Sequence, residues 1–167
     1  MIMKKQLLLL LIILMPMVAS ADESGICGDN LTWTYVEATN TLTISGTGEM
    51  WGYYGTGIPI QNRESVENLV IEEGVTTIGK LAFSGFHNLK AISIPHSITK
   101  IDDYAFLSCQ SIGSLILSSN LVEIGVGAFR ECSSLSNLRL QEGSDDYLYI
   151  AGDAFLNCPI KSGSSQE

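Results

Sequence analysis

The sequence predicts an α/β solenoid: a short stack of repeat units with a parallel sheet on one face, short helical turns beside it and an antiparallel β-hairpin as N-terminal cap. Three observations predict it. A 23-residue step carries Ile78 to Ile101 and Ile124, and the pairs Ala82-Phe83, Ala105-Phe106 and Ala128-Phe129 keep that interval. Within each unit, Ile92-Ser93-Ile94, Leu115-Ile116-Leu117 and Leu138-Arg139-Leu140 alternate inward and outward positions, the period of a short strand. Upstream, Leu31, Trp33 and Tyr35 alternate with Thr32 and Thr34, and Leu42 and Ile44 answer them across a turn at Thr39-Asn40.

The first element, residues 1–21, reads as a secretory leader. Lys4 and Lys5 precede an apolar run from Leu7 to Leu14 that continues to Val18, and Ala19-Ser20-Ala21 offers a signal-peptidase site before Asp22. The run is shorter than the roughly 20 residues a spanning helix needs, and Pro16 interrupts it. A secreted or cell-surface location follows, with the periplasm also open, and no stable membrane anchor is expected after cleavage.

Residues 22–60 are expected to form the hairpin cap and a loop rich in glycine and aromatic residues. Residues 61–160 carry the repeats. Val66, Leu69, Ile71 and Val75 supply a half-unit ahead of the first Ala-Phe pair. The last unit is longer by three residues, because Ile124 leads to Ile150 and Ala128-Phe129 to Ala154-Phe155 across the polar Gly143-Ser144-Asp145-Asp146 insertion. One such unit cannot bury its own apolar edge, whereas stacked copies build one continuous core. Residues 161–167 read as a polar tail.

Charge narrows the partners. The formal net charge of −9 falls to about −11 once Lys4 and Lys5 leave with the leader, so phosphate backbones and anionic lipid surfaces are repelled and nucleic acid is not an expected partner.

Four cysteines in an exported chain allow three full disulfide pairings. The repeat points instead to free thiols: Cys109, Cys132 and Cys158 share the position that the first unit fills with Phe86, an apolar interior site. A disulfide between stacked neighbours or a soft-metal ladder are the alternatives, although zinc normally wants a C-x2-C pair and none is present.

The units running from Ile78-Gly79 through Ala82-Phe83 to Leu89-x-x-Ile92-x-Ile94-Pro95 resemble the BspA-like, type 5 leucine-rich repeat of bacterial and some protist surface proteins. The likeness covers about Val66 to Cys158. The stretch from Cys27 to Trp33, with Thr41 to Gly48, is similar to the hairpin module that often precedes these repeats. The resemblance implies protein binding, adhesion or surface display, and it brings no catalytic residue with it.

Chemistry-bearing groups are sparse. His87 and His96 fall at non-core positions, and nothing in the spacing turns Ser97 or Asp102 toward His96 as a catalytic triad would require. Glu72-Glu73, Asp102-Asp103 and Asp145-Asp146 are adjacent pairs, which point apart on a strand and read as solvated acids. Gly46-x-Gly48 lacks the strand, helix and lysine of a phosphate loop. No catalytic residue, metal site or cofactor is therefore expected.

The expected function is recognition of an extracellular protein through the outward column of the sheet. That column is Asn68, Val70 and Glu72, then Ala91, Ser93 and Pro95, then Ser114, Ile116 and Ser118, then Asn137, Arg139 and Gln141. The core of the candidate surface is Asn68, Val70, Glu72, Ser93, Ser114, Ile116, Asn137 and Arg139. The second reading is a carbohydrate-binding accessory protein whose platform is Trp51, Tyr53 and Tyr54, rings that could equally seal the end of the solenoid. An edge strand at Leu138–Leu140 that finds no further strand beside it is expected to pair with a second copy or to be covered by the chain after Pro159.

Overall fold

The computed structural model describes residues 23–141 and 147–160. The leader, the Gly143–Asp146 insertion and the polar tail expected from the sequence lie outside those residues. The chain opens with three antiparallel strands, β1 (Glu23–Gly28), β2 (Leu31–Val36) and β3 (Thr41–Gly46). Asn40 supplies the tight turn between β2 and β3 at φ 50°, a left-handed conformation that asparagine tolerates better than most residues. Leu31, Trp33, Tyr35, Leu42 and Ile44 all turn inward.

β3 then pairs in parallel with β5 (Asn68–Ile71), which pairs with β7 (Ala91–Ser93). The antiparallel strands and the repeats thus share one five-stranded sheet, β1-β2-β3-β5-β7. The same face continues as a separate pair, β9 (Ser114–Leu117) with β11 (Asn137–Leu140). β7 is short because Pro95 has no N–H to offer Ile71, where Glu72 bonds the Ile44 carbonyl and Gln141 bonds that of Leu117 at 3.0 Å.

A second parallel sheet, absent from the sequence expectation, runs along the opposite side. It orders β4 (Gly48–Glu49), β6 (Val75–Ile78), β8 (Lys100–Ile101), β10 (Glu123–Ile124) and β12 (Tyr149–Ile150), one strand per turn of a five-turn β-solenoid. Ile78, Ile101 and Ile124 point from it into the core while Thr77, Lys100 and Glu123 face out.

The expected helical turns are a correction. No α-helix occurs among the described residues, and the two short 3-10 segments, Glu37–Thr39 and Arg63–Ser65, both precede the Ala-Phe pairs. Two left-handed residues interrupt each of the first three Ala-Phe segments, Leu81 and Gly85, Tyr104 and Ser108, Gly127 and Glu131, and Asn157 interrupts the fourth. A residue at positive φ cannot continue a right-handed helix. Its effect is to alternate the backbone N–H groups between a turn in their own coil and the coil above. Ala82 N–H donates to Gly79 at 3.1 Å, Phe83 to Ala105 at 2.8 Å, Ser84 to Leu81 at 3.1 Å and Gly85 to Leu107 at 2.8 Å.

The physical reason is width: with strands paired at about 4.8 Å in both sheets the stack cannot fan out on either side, and a helix some 10–12 Å across finds no room in each rung. The turns fit. Phe83, Phe106, Phe129 and Phe155 therefore stack as a ladder with ring centroids 5.2, 5.1 and 5.1 Å apart, flanked by Leu89, Ile112 and Leu135, all fully buried.

Candidate functional site

The face shared by the first sheet and the β9–β11 pair displays its outward residues in register, Asn68 beside Ala91 and Val70 beside Ser93 on the former, Ser114 beside Asn137 and Ile116 beside Arg139 on the latter. Val70 is 37% exposed and Ile116 56%, and Leu140, which the sequence pattern assigned to the core, is 53% exposed. Ser114, Leu115, Ile116, Asn137 and Arg139 line a shallow groove of about 220 Å³. The column is less uniform than its period suggests. Asn68 is half-buried and donates to the Thr39 carbonyl at 3.1 Å, which ties it to the turn before β3. Ser118 is 2% exposed, and its Oγ accepts from the Asn120 N–H at 3.1 Å. The alternation fails there because the strand has ended at Leu117 and the chain is turning toward the second sheet. The gap between β7 and β9 further divides the face, leaving Val70, Glu72 and Ser93 on one sheet and Ser114, Ile116, Asn137 and Arg139 on the other.

The three aromatic residues after β4 do not form one platform. Tyr54 is 97% exposed, Tyr53 is half-buried against the core, and Trp51 is 42% exposed with its indole N–H donating to Asp29 Oδ1 at 3.1 Å. The Tyr53 N–H donates to the Lys80 carbonyl, running on from the β4–β6 pairing, whereas the Trp51 N–H donates to the Cys27 carbonyl of β1, each at 2.8 Å. Gly79 permits this approach: a Cβ there would collide with the Trp51 carbonyl.

His87 Nδ1 pairs with Glu64 at 2.8 Å in a solvent-exposed contact. Near His96, the Ser97 hydroxyl donates to the Val75 carbonyl at 2.7 Å, so its proton is committed to the backbone. The acidic pairs are more structural than solvated acids would be. Glu73 accepts from the His96 and Ser97 N–H groups at 3.0 and 3.1 Å, and chiefly the His96 bond holds its carboxyl below the usual range. Asp103 Oδ1 accepts from the Val126 N–H at 2.9 Å, stitching one rung to the next. Among the described residues no group of three or more His, Cys, Asp or Glu could hold a metal ion.

Cys109, Cys132 and Cys158 are free thiols in the stacked position, and each donates to the Phe carbonyl of the previous rung, Phe83, Phe106 and Phe129, at 3.1, 3.3 and 3.0 Å. Cys27 is also free and buried.

These features define a repeat-built scaffold whose variable surface sits on two sheets. The chain belongs to the BspA type leucine rich repeat family: residues 61–166 match that repeat region in six copies. No curated protein matches it. Its fold is similar to that of a leucine-rich repeat protein from Eubacterium ventriosum, at 18% identity over 80% of this chain and 45% of that one, with a TM-score of 0.54. A leucine rich cell surface protein from Faecalibacterium prausnitzii is similar at 19% identity over 84% of this chain and 48% of that one, also with a TM-score of 0.54. The chain therefore spans just under half the length of these solved relatives.

Proposed function

We propose that this chain is an exported, non-catalytic recognition module that binds another protein through the outward face shared by its first sheet and the β9–β11 pair. One observation carries the reading: Val70 and Ile116 leave apolar surface exposed on a face where solubility alone favours polar residues, and Arg139 stands in register beside Ile116. An apolar centre with an arginine at its margin is the composition of a protein-binding patch. The groove between Ser114, Ile116, Asn137 and Arg139 gives a partner side chain somewhere to seat.

Export rests on the basic residues, apolar run and Ala19-Ser20-Ala21 site of residues 1–21, and the relative from Faecalibacterium prausnitzii is itself described as a cell surface protein. No helix among the described residues is long and apolar enough to cross a membrane. Residues 22–60 act in this reading as the N-terminal cap, because β1, β2 and β3 cover the first repeat strand and continue its sheet.

The test is binding of the mature chain to a panel of immobilised secreted and extracellular-matrix proteins by surface plasmon resonance. Ile116→Asp and Arg139→Glu are expected to hold thermal stability within about 1 kcal/mol of wild type, since both side chains face solvent. Each should weaken the captured partner at least tenfold, while Tyr54→Ala does not. Unchanged binding by both sheet variants would assign recognition to another face.

A further inference from the structure

The second sheet carries a groove that no repeat forms alone. The turn after β1 and the segment through β4 make one wall, with Asp29, Glu49 and Trp51. Repeat residues Thr77, Lys100 and Asp102 make the other, around about 650 Å³ of space. The first wall lies ahead of the matched repeat region and the second inside it, so the groove is particular to how this N-terminal segment seats on the stack.

We propose that this groove is a binding site for a neutral oligosaccharide. Its volume falls within the range of small-ligand clefts. Trp51 lines it with a half-exposed ring whose orientation is held by the bond from its N–H to Asp29, which makes it a preset surface for the apolar C–H face of a pyranose. Sugar hydroxyls are donors that need acceptors, and the carboxylates of Asp29, Glu49 and Asp102 supply them. Asp29 spends only one oxygen on Trp51, leaving the other for a ligand.

Lys100 is the one cation of the groove, and it is already paired with Glu123 at 3.3 Å and Asp102 at 3.7 Å. The site is therefore net acidic, which disfavours uronates and other anionic sugars. Length selects an oligosaccharide over a single sugar. The outward row Glu49, Thr77, Lys100, Glu123 and Tyr149 continues from the groove in register, one residue per rung at about 4.8 Å, and ends on a tyrosine that is 65% exposed.

The two tryptophans of the chain make a convenient readout, because Trp33 is 3% exposed and silent to solvent quenchers while Trp51 is not. Titration of the full chain with β-linked tetrasaccharides of glucose and of N-acetylglucosamine should protect tryptophan emission from acrylamide. A uronate tetrasaccharide should not. By calorimetry Trp51→Ala should weaken the neutral sugar at least tenfold and Asp29→Asn several-fold, with melting temperatures near wild type. Ile116→Asp, on the other sheet, should leave the affinity unchanged, so failure here is distinguishable from failure of the protein-binding reading. No protection by either neutral sugar, equal affinity in Trp51→Ala, or preference for the uronate or an arginine-rich peptide would overturn the proposal.

Discussion

At the scale of single residues, the thiols show how position in a repeat sets chemistry. Burial pushes the Cys27 thiol from 9.0 up to about 11 and the Tyr53 phenol from 10.0 up to about 12, because neither can release its proton without placing a charge in the apolar interior. Both folded values lie above the unfolded ones, so the stability they contribute is complete below pH 9 and is lost as pH rises through 11 and 12. The melting temperature should accordingly hold from neutral pH to about 9 and fall beyond it, and Cys27→Ala should flatten the first part of that fall in a pH series of thermal melts. Cys158 differs from its neighbours, since its pairing with the Cys132 thiol lowers its value, while that same pairing, and then burial, raise Cys132. A thiol reagent at neutral pH should therefore reach half-buried Cys158 first and the other three only after unfolding, as intact mass would report.

At the scale of elements, the phenylalanine ladder is the part whose loss should be felt most. Phe106 stacks on Phe83 below and Phe129 above, whereas Phe155 has one stacking neighbour among the described residues and is half-buried. Phe106→Ala should cost about 3–5 kcal/mol, the range for a buried aromatic, and Phe155→Ala distinctly less. Chemical denaturation of both variants measures the difference; equal losses would mean that the turns repack independently of the ladder. The ladder also marks how far local pattern could be followed. Ala-Phe at a 23-residue step correctly located a buried, repeated segment. It could not exclude a helix, because Leu81, Tyr104, Ser108 and Glu131 are residues that seldom take positive φ and announce nothing by their identity.

At the scale of the whole molecule, stacking decides which surfaces exist. Both sheets step along the same axis, one rung at a time, and β11 pairs only with β9 among the described residues. Unpaired groups along such an edge invite another strand, and Leu140 adds exposed apolar surface beside it. A chain of residues 22–167 should therefore dimerise with rising concentration in sedimentation velocity, and Leu140→Lys should shift it toward monomer. A single monomeric species across the range, with rapid amide exchange in Asn137–Leu140, would show the edge to be solvated instead. The candidate surfaces were unequally legible for the same reason. Val70, Ile116 and Arg139 lie on strands whose alternation can be counted along the chain, so their exposure could be anticipated. The Trp51 groove joins residues 29 to 102 across separate turns and left no local trace.

The sequence by itself determined the repeat, its period, the family and most of the continuous core, Leu140 and Ile150 at the open end excepted, because a strict apolar register has few ways to bury itself. Only the tertiary structure decided that Val75-Thr76-Thr77-Ile78 and its copies form a second sheet. Apolar residues three apart do not declare a strand, and those short segments become one only by bonding the rung beside them. It likewise decided that the Ala-Phe segments turn without forming a helix and that Trp51 and Asp29 share a groove with Lys100. Each depends on a spacing of about 4.8 Å between rungs, a distance between coils that no stretch of one coil encodes.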